Sequence, residues 1–275
     1  MGKWRNTVSL MGASWQVLKK DKQLLVFPFI SGICCLIVLA SFAVPIFTSG
    51  HWEPPGKGAS FNEQLNYYIP WFLLYFCNYL VIIFFNSAIV ACAAIRMQGG
   101  DPGVGDGFRA AVARLPLIIG WALLSSTVGL ALRIMEDSSK TIGRIIAGLL
   151  GMAWSVTSFL VVPILVVENK GPITAFKQSA RMLKKTWGEQ LIGNFRIGFL
   201  FFLLAVPALV LFIFAATVLP VYLVAGLAVI YFIGLALVHS ALQAILQTAI
   251  FLYACNNQAP PGFEPDMLSN AVRRK

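Results

Sequence analysis

Three polar side chains recur at helical spacing in the last apolar segment of the chain: His239, Gln243 and Gln247. Positions i, i+4 and i+8 follow one side of a helix, so the three would form a stripe about 12 Å long at a rise of 1.5 Å per residue. Inside a membrane such a stripe would line a cavity or a solute path. It would equally serve to hydrogen-bond neighbouring helices. Either role predicts that the stripe faces the protein interior, because an unpaired amide in hydrocarbon is unfavourable.

Two earlier apolar segments contain polar residues that would face the same interior: Asn78, Asn86, Ser87, Ser125, Ser126 and Thr127. None of these six side chains is ionisable. We place the eleven Asp and Glu residues in loops or at helix ends. A proton-driven carrier needs an acid within the bilayer, so the sequence disfavours one. Nucleophile elbows, phosphate loops, paired carboxylates and metal-ligand spacings do not occur in the sequence. We therefore expect a protein that is not an enzyme and that has no cofactor and no metal.

The elements that position these side chains must be helices in lipid. Apolar residues make up 58% of the 275 residues and charged residues 12%, against roughly 45–50% and about 25% in an average soluble domain. Crossing about 30 Å of hydrocarbon takes roughly 20 apolar helical residues. Six segments have that length: residues 24–47, 69–95, 116–133, 144–167, 195–217 and 220–254. The predicted fold is an all-α, polytopic transmembrane helical bundle of six helices in one domain, residues 1–275, with a cytoplasmic tail over 255–275.

Basic residues predict the orientation of this bundle. Seventeen of the 21 Lys and Arg residues lie before the first segment, between the second and third, around the connection from the fourth to the fifth, or at the C-terminus. The opposite side has the other four, Lys57, Arg133, Lys140 and Arg144. Cytoplasmic flanks carry the excess of Lys and Arg, so both termini are predicted to be cytoplasmic and the membrane to be the cytoplasmic (inner) one. The net charge of +10 then reflects topology and attraction to anionic lipid, not nucleic acid.

Two basic segments, residues 6–20 and 174–189, have apolar residues at helical spacing and predict short helices that lie in the membrane interface. They share the pattern S-x-x-x-L-K-K, and its lysines are the expected contacts to lipid headgroups: Lys19, Lys20, Lys184 and Lys185. A fainter copy at residues 108–115 indicates a unit of one amphipathic helix and one helical hairpin, used three times. Chance similarity among basic amphipathic segments is the alternative explanation.

Two further features concern the fourth apolar segment. Small residues recur at every fourth position and predict close contact with another helix: Gly143, Ala147, Gly151 and Ser155. The segment ends at Glu168, and a Lys or Arg of the following amphipathic helix is its expected partner.

Several short stretches together carry a family resemblance over essentially the whole chain: residues 14–22, 27–28, 162–163, 168, 171–172, 175–176, 179, 186–191, 193–194 and 261–263. They resemble an uncharacterised family of prokaryotic six-helix integral membrane proteins, one of the families of domains of unknown function. The amphipathic segment before the fifth apolar helix also looks like the membrane domain of some glycerophosphodiester phosphodiesterases. That second resemblance implies proximity to lipid, although the hydrolase domain and its metal-binding carboxylates have no counterpart in this sequence. Neither resemblance implies an activity.

Two functions fit these patterns. The first is a non-enzymatic membrane protein that binds lipid or acts as a scaffold or accessory subunit, with anionic lipids of the cytoplasmic leaflet as partners. Other membrane subunits or further copies of the chain would be additional partners, and nucleic acid would not. The alternative is a transporter or channel-like protein that moves a small or amphipathic solute through a cavity lined by the second, third and sixth apolar helices.

Overall fold

The computed structural model describes residues 3–48, 56, 58–138, 142–186, 192–217, 220–256, 258–265 and 268, and the regular secondary structure of these residues is helical. In chain order the elements are α1 (Lys3–Lys20), a 3₁₀ turn (Lys22–Leu25), α2 (Val26–Thr48), α3 (Phe61–Met97), α4 (Val104–Ala113), α5 (Leu115–Ser138), α6 (Ile142–Thr157), α7 (Val161–Val167), α8 (Pro172–Thr186), α9 (Ile192–Ala215) and α10 (Val221–Asn256). The predicted all-helical fold is therefore confirmed.

Five helical segments among the described residues are long and apolar enough to cross a membrane: Lys22–Thr48, Phe61–Met97, Leu115–Glu136, Gly143–Val167 and Val221–Asn256. They match five of the six predicted segments. The remaining prediction, residues 195–217, corresponds to α9, of which the described apolar part is the shorter stretch Phe201–Ala215. The length and composition of the five helices identify a multi-pass membrane protein.

Helix α3 begins earlier than the hydropathy of the sequence predicts. Its first turn is closed by a capping box, in which the backbone N–H of Ser60 donates to Oε2 of Glu63 at 2.8 Å and the N–H of Glu63 donates to Oγ of Ser60 at 3.4 Å. These reciprocal bonds satisfy two of the N–H groups that a helix start leaves without partners. Polar residues can therefore extend the helix beyond the apolar core of the segment.

The chain divides into two compact units, and the first consists of Met1–Pro28, Cys92–Val104 and Met182–Lys275. In this unit α1 packs against α9 and α10. The residues that α1 buries recur at helical spacing: Leu10, Ala13, Ser14, Val17 and Leu18. This pattern is that of an amphipathic helix with one face against the protein.

The predicted cytoplasmic tail also belongs to the first unit. Phe263 and Leu268 are buried. Gly262 has a φ of 91°, and a β-carbon placed on it would lie 4.0 Å from Cγ2 of Val17 in α1. A glycine suits this turn because positive φ is unfavourable for residues that have a β-carbon. The described part of the tail thus comes close to α1 at Gly262, and two of its apolar side chains are buried.

The second unit consists of Phe29–Ala91 and Gly105–Arg181. Its helices α5, α6 and α8 meet through the rings of Trp121, Trp154 and Phe176, whose centroids lie 5.0–6.0 Å apart. The predicted close packing of α6 is present at three of its small residues, of which Gly143 is buried. Ala147 is buried, and a β-carbon on Gly151 would lie 3.6 Å from Cδ1 of Leu132 in α5.

The fourth predicted segment is interrupted between α6 and α7. Pro163 has no N–H to donate to the carbonyl four residues before it, which weakens a continuous helix at this point. Ser179 of α8 compensates from outside: its Oγ accepts from the N–H of Leu160 at 3.2 Å and donates to the carbonyl of Thr157 at 2.6 Å. Ser179 and Leu160 are both buried, so the side chain replaces helix hydrogen bonds that water does not reach.

Candidate functional site

The three residues of the polar stripe of α10 differ in burial. Gln247 is buried, His239 is partly buried and Gln243 is exposed. The burial of the three side chains is thus unequal. Their shared orientation into the bundle stays a prediction.

His239 has a neighbour that explains its position. Its ring lies edge-on to Phe201 of α9, with centroids 4.4 Å apart. Its Nδ1 is buried without a hydrogen-bond partner among the residues that the structure describes. The contact is typical of packing between helices, because aromatic rings prefer this edge-to-face arrangement.

The polar residues predicted to share that interior lie in α3 and α5, within the second unit. Three of their hydroxyls bond within their own helices: Ser87 to the carbonyl of Ile83, and Ser126 and Thr127 to the carbonyl of Leu123. Such bonds satisfy the hydroxyls without a solute. These contacts account for the three hydroxyls without a transport path.

An apolar groove lies between α1, α9 and α10 in the first unit, with a volume of about 680 Å³. Twelve residues line it: Val8, Met11, Gly12, Trp15, Phe201, Leu204, Ile230, Tyr231, Gly234, Leu235, Val238 and Leu242. This volume is within the range of about 300–1,000 Å³ typical of small-ligand pockets. The three stripe residues are not among the residues described as lining it. Sequence reasoning missed this groove because its lining side chains come from both ends of the chain, from Val8 to Leu242.

Lysines stand at the end of α1 that adjoins this groove. Lys19 and Lys20 are exposed, and Nζ of Lys19 lies 5.7 Å from the centroid of the Trp15 ring. Trp15, which lines the groove, is also exposed. The predicted headgroup contacts Lys19 and Lys20 are therefore accessible to a ligand. The side chains of the other two, Lys184 and Lys185 in α8, lie outside the described residues.

The acid nearest to these lysines in sequence is engaged elsewhere. Asp21 is buried and accepts two hydrogen bonds from Arg96 of α3, each 2.5 Å long. Arg96 also pairs with Asp101. Arg96 neutralises the charge of Asp21. Asp21 is therefore not the counter-ion of the exposed Lys19 and Lys20.

Glu168 has a cationic partner in the connection before α8. Its carboxylate pairs with Lys170, at 2.5 Å. Gln178 of α8 donates to both carboxylate oxygens of Glu168, at 2.9 and 3.0 Å. The adjacent helix thus contributes an amide to this carboxylate. This network joins the end of α7 to α8.

Arg133 of α5 contacts aromatic side chains of α3. Its charge in the sequence predicts only the side of the membrane on which it lies. Arg133 lies over the ring of Trp71, at 3.8 Å from the centroid, and donates to the hydroxyl of Tyr67 at 3.0 Å. It also approaches the hydroxyl of Tyr75 at 3.5 Å. The aromatic residues are spaced by four along α3, which is the signal that would have identified them as neighbours. This arrangement is typical of a cation and aromatic rings at a membrane interface.

The helices and these contacts define a multi-pass helical membrane protein without a cluster of three or more His, Cys, Asp or Glu that could hold a metal ion, within the part of the chain that the structure describes. A family model described as a family of unknown function (DUF6159) matches residues 65–261. The chain belongs to this family. No curated protein matches the chain.

Proposed function

We propose that the protein is a non-enzymatic protein of the cytoplasmic (inner) membrane that binds anionic lipid at the cytoplasmic leaflet and acts there as a scaffold or accessory subunit. The observation that carries this proposal is the arrangement of α1. One face of the helix packs against α9 and α10, while its C-terminal turn exposes Lys19 and Lys20. A helix held in this way presents positive charge where phosphate headgroups lie.

The topology of the proposal has six crossings and cytoplasmic termini. The sixth crossing is α9, whose 24 residues have a length of about 36 Å at 1.5 Å per residue, enough for about 30 Å of hydrocarbon. The uneven distribution of Lys and Arg supports the orientation. Helices α1, α4 and α8 would then lie at the cytoplasmic surface, as the three proposed repeat units require.

Solute transport has less support. A path along α10 needs His239, Gln243 and Gln247 to face one cavity, and their unequal burial argues against that. The edge-on contact of His239 with Phe201 favours a role in helix packing instead.

Charge reversal tests the proposed lipid binding. In Lys19→Glu/Lys20→Glu we expect binding of phosphatidylglycerol to weaken by at least about 30-fold at low salt, since loss of two basic residues near an anionic surface removes about 2 kcal/mol and the new carboxylates add repulsion. Native mass spectrometry of the full chain, with phosphatidylcholine of the same acyl chains as the reference lipid, measures the change. Lys140→Glu/Arg144→Glu changes the net charge equally on the opposite side and should leave binding unaltered. Equal binding of the two lipids by the unmodified chain would refute the proposal.

A further inference from the structure

The groove between α1, α9 and α10 is suited to hydrocarbon. Most of its lining side chains are aliphatic or aromatic, such as Met11, Phe201 and Leu235. The hydroxyl of Tyr231 donates to the carbonyl of Leu204 at 3.3 Å, so its hydrogen is already used within the protein. A water-soluble ligand would lose hydrogen bonds to water here and gain few in return. An apolar occupant is therefore favoured.

The length of the groove matches one leaflet of a bilayer. Along α10 it extends from Ile230 to Leu242, a distance of about 18 Å at a rise of 1.5 Å per residue. One leaflet contributes about half of the roughly 30 Å hydrocarbon thickness. A single acyl chain thus has about the length of the groove.

The charge next to the groove indicates the headgroup. Trp15 lines the groove and lies under Nζ of Lys19. Val17, between Trp15 and Lys19 in sequence, lies near the turn at Gly262 that follows α10, where an added β-carbon would be 4.0 Å from its Cγ2. The lysine end of α1 thus lies on the side of the C-terminus of α10, which the proposed topology puts at the cytoplasmic surface. The occupant is then apolar along the groove and anionic at one end.

We propose that this groove binds one acyl chain of an anionic phospholipid from the cytoplasmic leaflet, with its phosphate beside Lys19 and Lys20. This inference rests on the proposed function and adds a defined site to it. An apolar helix of another protein would fill the groove equally well, but it would leave the adjacent lysines without a counter-charge. The lipid satisfies both parts of the site with one molecule.

Two glycines allow the groove to be filled without disturbing the backbone. A β-carbon on Gly12 or on Gly234 would have no heavy atom within 4 Å, and both residues line the groove. Leucine is also a better helix former than glycine. Gly12→Leu and Gly234→Leu should therefore fold and occupy the space of the acyl chain. Gly226→Leu is the matched control, because Gly226 lies in the same helix, has equally open surroundings and is not among the groove residues.

The test measures retention of dioleoyl phosphatidylglycerol by the full chain in native mass spectrometry. Gly12→Leu and Gly234→Leu should each weaken retention by about tenfold, because each buried CH₂ contributes to lipid binding, while Gly226→Leu should retain the lipid as the unmodified chain does. A second readout is photocrosslinking with phosphatidylglycerol that has a diazirine in the acyl chain. Crosslinks should map to residues 8–15 and 230–242.

The outcomes separate the groove from the proposed function. Normal retention in both glycine variants, together with loss in Lys19→Glu/Lys20→Glu, would overturn the groove and leave the surface lysines as the lipid site. Absence of any preference for phosphatidylglycerol over phosphatidylcholine in the unmodified chain would overturn both proposals. A dimer that Gly234→Leu dissociates would instead make the groove an interface between copies and would overturn the lipid as its occupant.

Discussion

The contact between Asp21 and Arg96 fixes the junction at which α1 gives way to the first membrane segment. The two residues are 75 positions apart, and Asp21 precedes the 3₁₀ turn that leads into α2. Gln23 in that turn donates to the carbonyl of Pro102. The side chain of Arg96 at the end of α3 and the carbonyl of Pro102 after it thus hold the turn in place.

Asp21→Asn should destabilise the protein by about 1–3 kcal/mol, because it removes the charge from a buried, doubly hydrogen-bonded pair. The figure is below that of a fully buried pair, since Arg96 is partly exposed and keeps Asp101 as a partner. Thermal unfolding in detergent, followed by tryptophan fluorescence, measures the effect. Asp106→Asn is the control, because Asp106 pairs with Arg109 on the surface at 3.8 Å and such pairs contribute about 0–1 kcal/mol. Equal stability of Asp21→Asn and the unmodified chain would show that the pair is not needed.

Individual residues were the least predictable part of the molecule. The spacing of His239, Gln243 and Gln247 predicts that the three lie close together along one helix. It does not predict how much of the surface of that helix is covered by neighbouring helices. The charge of Arg133 predicts its side of the membrane but not its contacts. Its neighbours Tyr67 and Trp71 belong to a helix more than 50 positions earlier, so no local pattern links them to it. Lys19 and Lys20 were predictable as accessible, because their helix has an evident apolar face.

At the scale of the element, a side chain of α8 supplies the hydrogen bonds that the main chain lacks at the interruption between α6 and α7. The hydroxyl of Ser179 accepts from one residue of the break and donates to another. Helix α8 is thereby fixed to the end of a membrane segment through hydrogen bonds as well as through Phe176. The proposed topology puts the exposed side of α8 at the membrane surface.

Ser179→Ala should lower the free energy of unfolding by about 1–3 kcal/mol, because the buried N–H of Leu160 loses its acceptor. Ser158→Ala is a matched change nearby: its hydroxyl donates to the carbonyl of Ser155 at 3.2 Å in an exposed setting, and the expected effect is within about 0.5 kcal/mol. Chemical unfolding in mixed micelles compares the two variants. The role assigned to Ser179 would be rejected if the variants were equally stable.

Helices as elements were largely predictable, and their interruptions were not. Apolar runs in lipid leave the backbone few alternatives to the helix, so five predicted segments recur as long helices. The start of α3 escaped prediction because Ser60 and Glu63 extend the helix through polar residues. The interruption after α6 has Pro163 as a local signal, yet its position also depends on Ser179, 22 residues beyond Thr157.

At the scale of the whole molecule, the position of the C-terminus depends on whether α9 crosses the membrane. Six crossings place both termini on one side, whereas the five long apolar segments alone would place them on opposite sides. The proposed topology is therefore sensitive to a single helix.

Cysteine labelling of intact cells decides between these arrangements. In a background without the five native cysteines, a cysteine added after Lys275 should stay unlabelled by an impermeant reagent until the cells are permeabilised. Gly56→Cys, in the exposed connection between α2 and α3, should react from outside and serves as the positive control. Immediate labelling at the C-terminus would contradict six crossings with cytoplasmic ends.

The packing of α1 against α10 also determines the order in which the protein can be assembled during synthesis. The first helix leaves the ribosome long before its partner, since the groove brings Val8 together with Leu242. At about 5–20 residues per second, the apolar face of α1 waits for roughly 10–50 s without its final neighbours. During that interval we expect the membrane surface to cover Leu10 and Val17, as it covers the apolar face of other amphipathic helices. The amphipathic pattern of α1 would then serve the nascent chain before it serves the packed structure.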